Sequence, residues 1–223
     1  MKQLLLDIRP DASPAFDNFI AGENAAALEA LREAVIGAGH VLIWGPHGSG
    51  RSHLLRAAIN EACAAGRPAL HVKADKLDGG FVPAENTLVA LDDIEGLCAN
   101  AQVALFNAFN RAREHNLTLL LSAERPPREL TLREDLRTRI GQALIFELKP
   151  LDDQTRSEIL LALAQRRGLS MGEDVVQFLL RHGRRDLPAL VSVLDALDRA
   201  SLERKRPVTL PLLRELMQAG LDI

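Results

Sequence analysis

Apolar residues recur along this chain in two patterns, and the change between the patterns divides it into two parts. In the first part, short unbroken apolar runs are separated by segments in which apolar residues recur every three or four positions. Unbroken runs are typical of strands in a sheet covered on both faces, and the wider spacing is typical of amphipathic helices. The runs predict five strands, at 40–44, 69–72, 87–91, 117–121 and 144–148.

Helices are predicted before, between and after these strands. In the first 150 residues they cover 24–36, 52–65 and 101–115. Alternation of strand and helix predicts a parallel sheet with helices on both sides. Beyond Pro150 four helices are predicted, without a strand of similar strength, at 151–167, 172–182, 186–203 and 211–219.

The fold class is therefore α/β, with a parallel sheet flanked by helices and followed by a small all-α domain. We expect a short N-terminal tail over 1–10, an α/β domain over 11–150 and the helical domain over 151–223.

Composition narrows the class of protein further. A chain of 223 residues with 47% hydrophobic residues can bury a proper core, and its net charge of −3 gives no bulk attraction to DNA or anionic lipid. The N-terminus is too short and too charged for a secretory signal, and no apolar run approaches membrane-spanning length. Cys63 and Cys98 lack metal-type spacing, so we expect a cytoplasmic location and predict both as small buried residues.

The most specific motif is a glycine-rich loop between the first predicted strand and the next helix. It reads Gly-Pro-His-Gly-Ser-Gly-Arg-Ser, a spacing that suits a loop wrapping phosphates with its backbone N–H groups. Arg51 stands where such loops place lysine, which keeps a positive charge but loses the compact ammonium. We predict nucleotide binding with compromised hydrolysis; an ordinary glycine-rich turn is the alternative. The predicted nucleotide contacts are Gly45, Pro46, His47, Gly48, Ser49, Gly50, Arg51, Ser52 and His53.

Two aspartates follow the third predicted strand. A phosphate loop needs a carboxylate on a neighbouring strand end to hold Mg²⁺, and Asp92 fits that position, with Ser52 as a second ligand. Asp93 stands where a general base would polarise the attacking water, although it is shorter than the glutamate usual in active hydrolases. The alternative is that the aspartates cap the next helix.

Two further positions are candidates for contact with a phosphate. Ser122, at the end of the next strand, is placed to sense the γ phosphate, or else it is a strand-end turn residue. Arg137 and Arg139 precede the last strand. We predict that Arg139 acts in trans as an arginine finger on a neighbouring molecule's nucleotide, the alternative being solvated surface arginines.

Taken together, these features resemble the AAA+ ATPases, in their replication-initiator branch, and within it the regulatory homologues of the DnaA initiator. Three strings carry the likeness: Gly-Arg-Ser-His-Leu-Leu at 50–55, Arg-Pro-Pro-Arg-Glu-Leu at 125–130 and Leu-Asp-Ala-Leu-Asp-Arg-Ala-Ser at 194–201. The resemblance spans nearly the whole chain. The resemblance implies that the helical domain is a lid. It also implies that an arginine at position 51 is usual in this subfamily.

The resemblance implies a negative regulator of replication initiation. Such a regulator stimulates hydrolysis of ATP bound to DnaA, has weak or no ATPase activity of its own, and holds ADP or ATP. Whether Mg²⁺ accompanies the nucleotide and whether the chain forms a homo-oligomer stay open. In the lid, Arg185 is the nearest candidate for the arginine that senses nucleotide.

A partner is implied at the N-terminus. The tail residues Gln3, Leu4, Leu5 and Leu6 are similar to the peptide by which these regulators dock on the DNA polymerase III sliding clamp, the β subunit. The resemblance then implies that DNA contact is indirect, through the clamp, and we expect no DNA-binding domain after the lid. An apolar edge strand is the alternative for this tail.

Two other functions stay open. One is a self-contained AAA+ NTPase, such as a helicase loader or a DNA-processing motor, which would use Asp93 as the base. The other is a degenerate scaffold that binds no nucleotide.

Overall fold

The structure, a computed structural model, describes residues 13–19, 21–37, 39–150, 152–183 and 187–221. Within these ranges the chain forms five strands, a little shifted from the predicted runs. They are β1 (Val41–Trp44), β2 (Ala69–Lys73), β3 (Leu88–Asp92), β4 (Thr118–Ala123) and β5 (Leu144–Glu147).

Eight α-helices lie in the same described ranges. They are α1 (Ala25–Ile36), α2 (Arg51–Ala64), α3 (Ala99–Ala112), α4 (Glu134–Ile140), α5 (Asp153–Arg166), α6 (Glu173–His182), α7 (Leu187–Arg204) and α8 (Leu210–Gln218). The seven-residue helix α4, which carries Arg139, lies in a segment for which the apolar pattern predicted no helix. None of the helices in the described ranges is long and apolar enough to cross a lipid bilayer.

The five strands form one parallel sheet in the order β2-β3-β4-β1-β5. Successive side chains of a strand point to opposite faces, so Val41 and Ile43 pack on one face of the sheet while Leu42 packs on the other. Helices α1 and α2 contribute to the first of these cores, and α3 and α4 to the second. The predicted α/β class with a helix-flanked parallel sheet is confirmed.

The chain divides into two compact units. The larger comprises residues through Gly45 and from Gly50 to Leu148, and the smaller comprises residues from Lys149 onward with loop residues Pro46–Ser49. In the smaller unit α5 to α8 surround a separate apolar core. This core includes the fully buried side chains of Leu160, Val175, Leu179, Leu197 and Leu213.

The prediction that both cysteines are buried is wrong. Cys63, near the end of α2, and Cys98, just before α3, are both exposed free thiols. On α2 the buried residues include Leu55, Ala58 and Ala62, and Cys63 falls on the opposite face of the helix.

Candidate nucleotide-binding site

The loop that joins β1 to α2 has two glycines in left-handed backbone. Gly48 has a φ of +81° and Gly50 a φ of +93°, and a side chain in this conformation costs about 1–2 kcal/mol. The Gly45 N–H donates to the Ala123 carbonyl (3.1 Å), and the Leu54 N–H donates to the Gly50 carbonyl (3.0 Å). The loop is thereby fixed to β4 at its start and to the first turn of α2 at its end. The first N–H groups of a helix have no partner within it, and they favour an anion at this end.

The segment 13–19 lies against the end of this loop. A Cβ on Gly50 would come within 2.6 Å of Phe19 Cε2, and the rings of Phe19 and His53 are 5.8 Å apart. His53 Nε2 is 3.2 Å from the Ala15 carbonyl oxygen, and burial lowers the pKa of its imidazole. The structure thus engages His53 with the N-terminal segment, and its predicted contact with a nucleotide stays a prediction.

Arg51 begins α2, and its guanidinium lies near two carboxylates. Arg51 Nη1 is 3.4 Å from Asp93 Oδ1 and 3.9 Å from Glu95 Oε1. Both distances exceed hydrogen-bond length, the side chain is only 10% exposed, and Nη1 has no hydrogen-bond partner among the described residues. A buried charged donor without an acceptor is unfavourable, so an anion placed here would satisfy it.

Glu95 was missed by the sequence analysis. The available signal was its position two residues after Asp93, in a turn that leaves the same strand end.

Asp92 ends β3 with its side chain fully buried. Its Oδ1 accepts a hydrogen bond from the Ser122 hydroxyl, and its Oδ2 is 3.7 Å from His71 Nε2 on β2. Burial alone would raise the pKa of this carboxyl, but interactions with His71, Ser122 and Ser52 outweigh burial and hold the pKa well below its ordinary value. Asp92 is therefore a carboxylate at neutral pH. His71 was also missed, since a single histidine in an edge strand gives no signal.

The surroundings of Asp92 fit a magnesium ion bound together with a nucleotide. Its Oδ2 accepts no hydrogen bond from a described residue, and Ser52 lies close enough to lower the pKa of this carboxyl. Within the described ranges no cluster of three His, Cys, Asp or Glu side chains could hold a metal alone. One carboxylate and one hydroxyl suit Mg²⁺, because that ion takes its remaining ligands from water and phosphate oxygens.

A further hydroxyl on the loop is suited to an anion. Ser49 Oγ is buried and has no hydrogen-bond partner among the described residues, whereas Pro46 and His47 are exposed.

Ser122 and Asp93 are tied to each other as well as to Asp92. Ser122 is fully buried in β4, and its Oγ accepts a hydrogen bond from the Asp93 N–H at 2.9 Å. Because the Ser122 hydroxyl donates its own proton to Asp92, it links the ends of β3 and β4. To sense a γ phosphate as predicted, Ser122 would have to give up its hydrogen bond to Asp92 and donate to the phosphate instead. Asp93 has a φ of +57°, a conformation in which Asp and Asn are enriched.

Arg139 lies near the end of α4 and is partly exposed. Its guanidinium carbon is 5.8 Å from the centre of the Phe106 ring on α3, a distance at which a cation is attracted to an aromatic face. Among the described residues Arg139 forms no ion pair. The remaining predicted site residues, Arg185 in the lid and Gln3, Leu4, Leu5 and Leu6 in the tail, lie outside the described residues.

Comparison with known families gives a match in the smaller unit. Residues 153–217, from α5 into α8, match the family model described as "Hda, lid domain".

Comparison with solved structures gives matches over nearly the whole chain. Domain III of the Thermotoga maritima replication initiation protein DnaA is similar with a TM-score of 0.81 at 19% identity, over 96% of this chain and 100% of that chain. AMPPCP-bound DnaA from Aquifex aeolicus gives 0.75 at 23% identity, over 88% and 69%. The Thermotoga maritima RuvB Holliday junction branch migration motor gives 0.74 at 19% identity, over 94% and 74%. At these identities the likeness establishes the fold.

The matches confirm the AAA+ fold that the sequence predicted, with a helical lid after the parallel sheet. The chain has the fold of DnaA-like AAA+ proteins. Its C-terminal helices, over residues 153–217, match the lid domain of the Hda family.

Proposed function

We propose that the chain is a negative regulator of replication initiation that stimulates hydrolysis of ATP bound to the DnaA initiator. The observation that carries this proposal is Arg139, a partly exposed arginine that rests on Phe106 and has no ion pair among the described residues. A guanidinium without a carboxylate partner is available to donate to phosphate oxygens of another molecule. The Hda lid match supports the regulatory branch of the family.

The proposal includes an adenine nucleotide, ADP or ATP, at residues 45–52. The buried Arg51 donor that lacks a partner among the described residues supports an anion at this loop. Two similar solved structures are DnaA proteins with AMPPCP bound. Asp92 and Ser52 would hold Mg²⁺, which when bound neutralises charge on the phosphates.

The chain's own hydrolysis is expected to be weak. Asp93, the candidate base, lies 3.4 Å from Arg51, and its side chain is one carbon shorter than the glutamate usual in active hydrolases, so it reaches less far toward an attacking water. Arg139 instead stabilises the charge that develops on the phosphoryl oxygens of the partner's ATP, an effect worth about 10³–10⁵ in rate for arginine fingers.

The test is phosphate release from ATP-bound DnaA mixed with this protein and clamp loaded on DNA. We expect Arg139→Ala to reduce the stimulation by about 10²-fold or more. Arg137→Ala removes the same charge from the same helix and serves as the matched control, which should keep the stimulation within a few fold. Stimulation that survives Arg139→Ala, or that both variants reduce equally, would remove the assignment of the finger.

Docking on the sliding clamp through Gln3, Leu4, Leu5 and Leu6 is part of the same proposal. Deleting residues 1–8 should abolish binding to immobilised clamp, while Lys2→Gln, which leaves the apolar peptide intact, should bind normally. Unaltered clamp affinity of the truncated protein would contradict this role of the tail.

A second candidate function is a self-contained NTPase such as a helicase loader or a DNA-processing motor, favoured by the similarity to the RuvB motor. ATP turnover by the isolated chain that is lost in Asp92→Ala would support this second function over the first.

A further inference from the structure

We propose that Glu95 is a positioning residue of the nucleotide site: its carboxylate competes with incoming phosphates for Arg51, so that removing its charge strengthens phosphate binding. The inference rests on the proposed nucleotide binding at residues 45–52 and adds a determinant of its affinity.

One carboxylate oxygen of Glu95 lies near Arg51 and also accepts a backbone hydrogen bond. It lies in the short 3₁₀ turn Ile94–Gly96 that follows β3, and its side chain is 34% exposed. Its Oε1 is 3.9 Å from Arg51 Nη1 and accepts a hydrogen bond of 2.8 Å from the N–H of Glu124, just after β4. The hydrogen bond fixes the carboxylate at a position where its charge acts on Arg51.

The charges around Arg51 oppose the binding of an anion. One guanidinium lies near two carboxylates, those of Asp93 and Glu95. A phosphate bound to Arg51 must share the positive charge of the guanidinium with these carboxylates. Charge interactions over several ångströms in a partly buried site change an equilibrium by about tenfold.

Glu95 can be tested without disturbing the other roles in the site. Asp93 is both the candidate base and the donor of a backbone hydrogen bond to Ser122, so a substitution there would mix effects. Glu95→Gln keeps an oxygen that can accept from the Glu124 N–H and removes only the charge.

The experiment measures the binding of ADP and of inorganic pyrophosphate by calorimetry, with no need for hydrolysis. We expect Glu95→Gln to lower both dissociation constants about tenfold. The matched control is Glu114→Gln, which removes the same charge from an exposed residue in the connection from α3 to the start of β4. This control should change neither constant by more than about twofold.

The same substitution made in an Arg51→Gln variant shows whether Glu95 acts through Arg51. In Arg51→Gln the gain from Glu95→Gln should shrink to a third or less, because no guanidinium remains to be released. An equal gain in both backgrounds, or no gain in the first, overturns the proposal.

Failure of the proposed function gives a different result. If the unmodified chain binds neither ADP nor pyrophosphate, nucleotide binding itself is excluded, and the affinity role of Glu95 is excluded with it. The ¹⁵N guanidinium signal of Arg51, assigned by its loss in Arg51→Gln, then reports on the contact alone. Glu95→Gln should shift this signal if the two side chains interact, and an unmoved signal overturns the pairing as well.

Discussion

Gly50 combines two constraints at a single residue. Its φ of +93° is unfavourable for any residue with a side chain, and the space where a Cβ would lie is taken by the Phe19 ring. Gly66, just after α2, has a similar φ of +77° but nothing within 4 Å of that position. A comparison of the two glycines therefore distinguishes the cost of backbone strain, which both positions have, from the cost of steric contact, which only Gly50 has.

We expect Gly50→Ala to lower the free energy of unfolding by about 2–4 kcal/mol, and Gly66→Ala by about 1 kcal/mol. Urea denaturation followed by the fluorescence of Trp44, the only tryptophan, measures both. In a Phe19→Ala background the cost of Gly50→Ala should fall to that of Gly66→Ala. An unchanged cost in that background would mean that Phe19 does not limit the position.

At the level of elements, Arg67 joins the end of α1 to the starts of two strands. Its guanidinium donates to the carbonyls of Val35 (2.9 Å) and Asn86 (3.1 Å), and to the Thr118 hydroxyl (2.8 Å). The Val35 carbonyl lies in the last turn of α1. Carbonyls of the last turn accept no hydrogen bond from an N–H of the same helix, so they need a partner elsewhere. One side chain thus satisfies groups from three elements.

Arg67→Ala should reduce the free energy of unfolding by about 2–4 kcal/mol, because several carbonyls lose their donor at once. Arg56→Ala, an exposed arginine on α2, is the control and should change it by less than about 0.5 kcal/mol. The same Trp44 fluorescence measurement compares them. Equal effects of the two substitutions would show that Arg67 contributes no more than a surface arginine.

The elements that the sequence predicted are those whose signals are local. The buried strands β3 and β4 were predicted because both faces are covered, which leaves an unbroken apolar run. The apolar pattern did not predict the short helix α4, because seven residues give too few turns for a periodic pattern.

In the candidate site, the glycine loop and the position of Asp92 at a strand end could be derived from neighbouring residues. The contacts of Arg51 with Asp93 and Glu95 could not, since they join residues more than forty positions apart through side-chain geometry. The left-handed backbone of Asp93 gives a physical reason for an aspartate there, because the short polar side chain tolerates that conformation better than most.

The molecule as a whole has separate apolar cores in its two compact units. Trp44 belongs to the larger unit, so its fluorescence reports on that unit, whereas far-UV circular dichroism reports on helices of both. Two probes can therefore follow the two cores in the intact chain.

We expect Leu213→Ala, in the core of the smaller unit, to destabilise that unit by about 2–5 kcal/mol. The dichroism transition should shift while the midpoint seen by Trp44 stays unchanged. Leu121→Ala, equally buried in β4, is the matched counterpart and should shift the Trp44 midpoint. Coincident shifts of both probes in Leu213→Ala would show that the units unfold as one.

The exposure of Cys63 and Cys98 bears on how the assembly state of this protein is measured. Surface thiols of two molecules oxidise readily to an intermolecular bridge when no reductant is present. A covalent dimer formed in this way would imitate a native homo-oligomer in a sizing column. The same accessibility gives two natural attachment points for maleimide dyes, both on the larger unit.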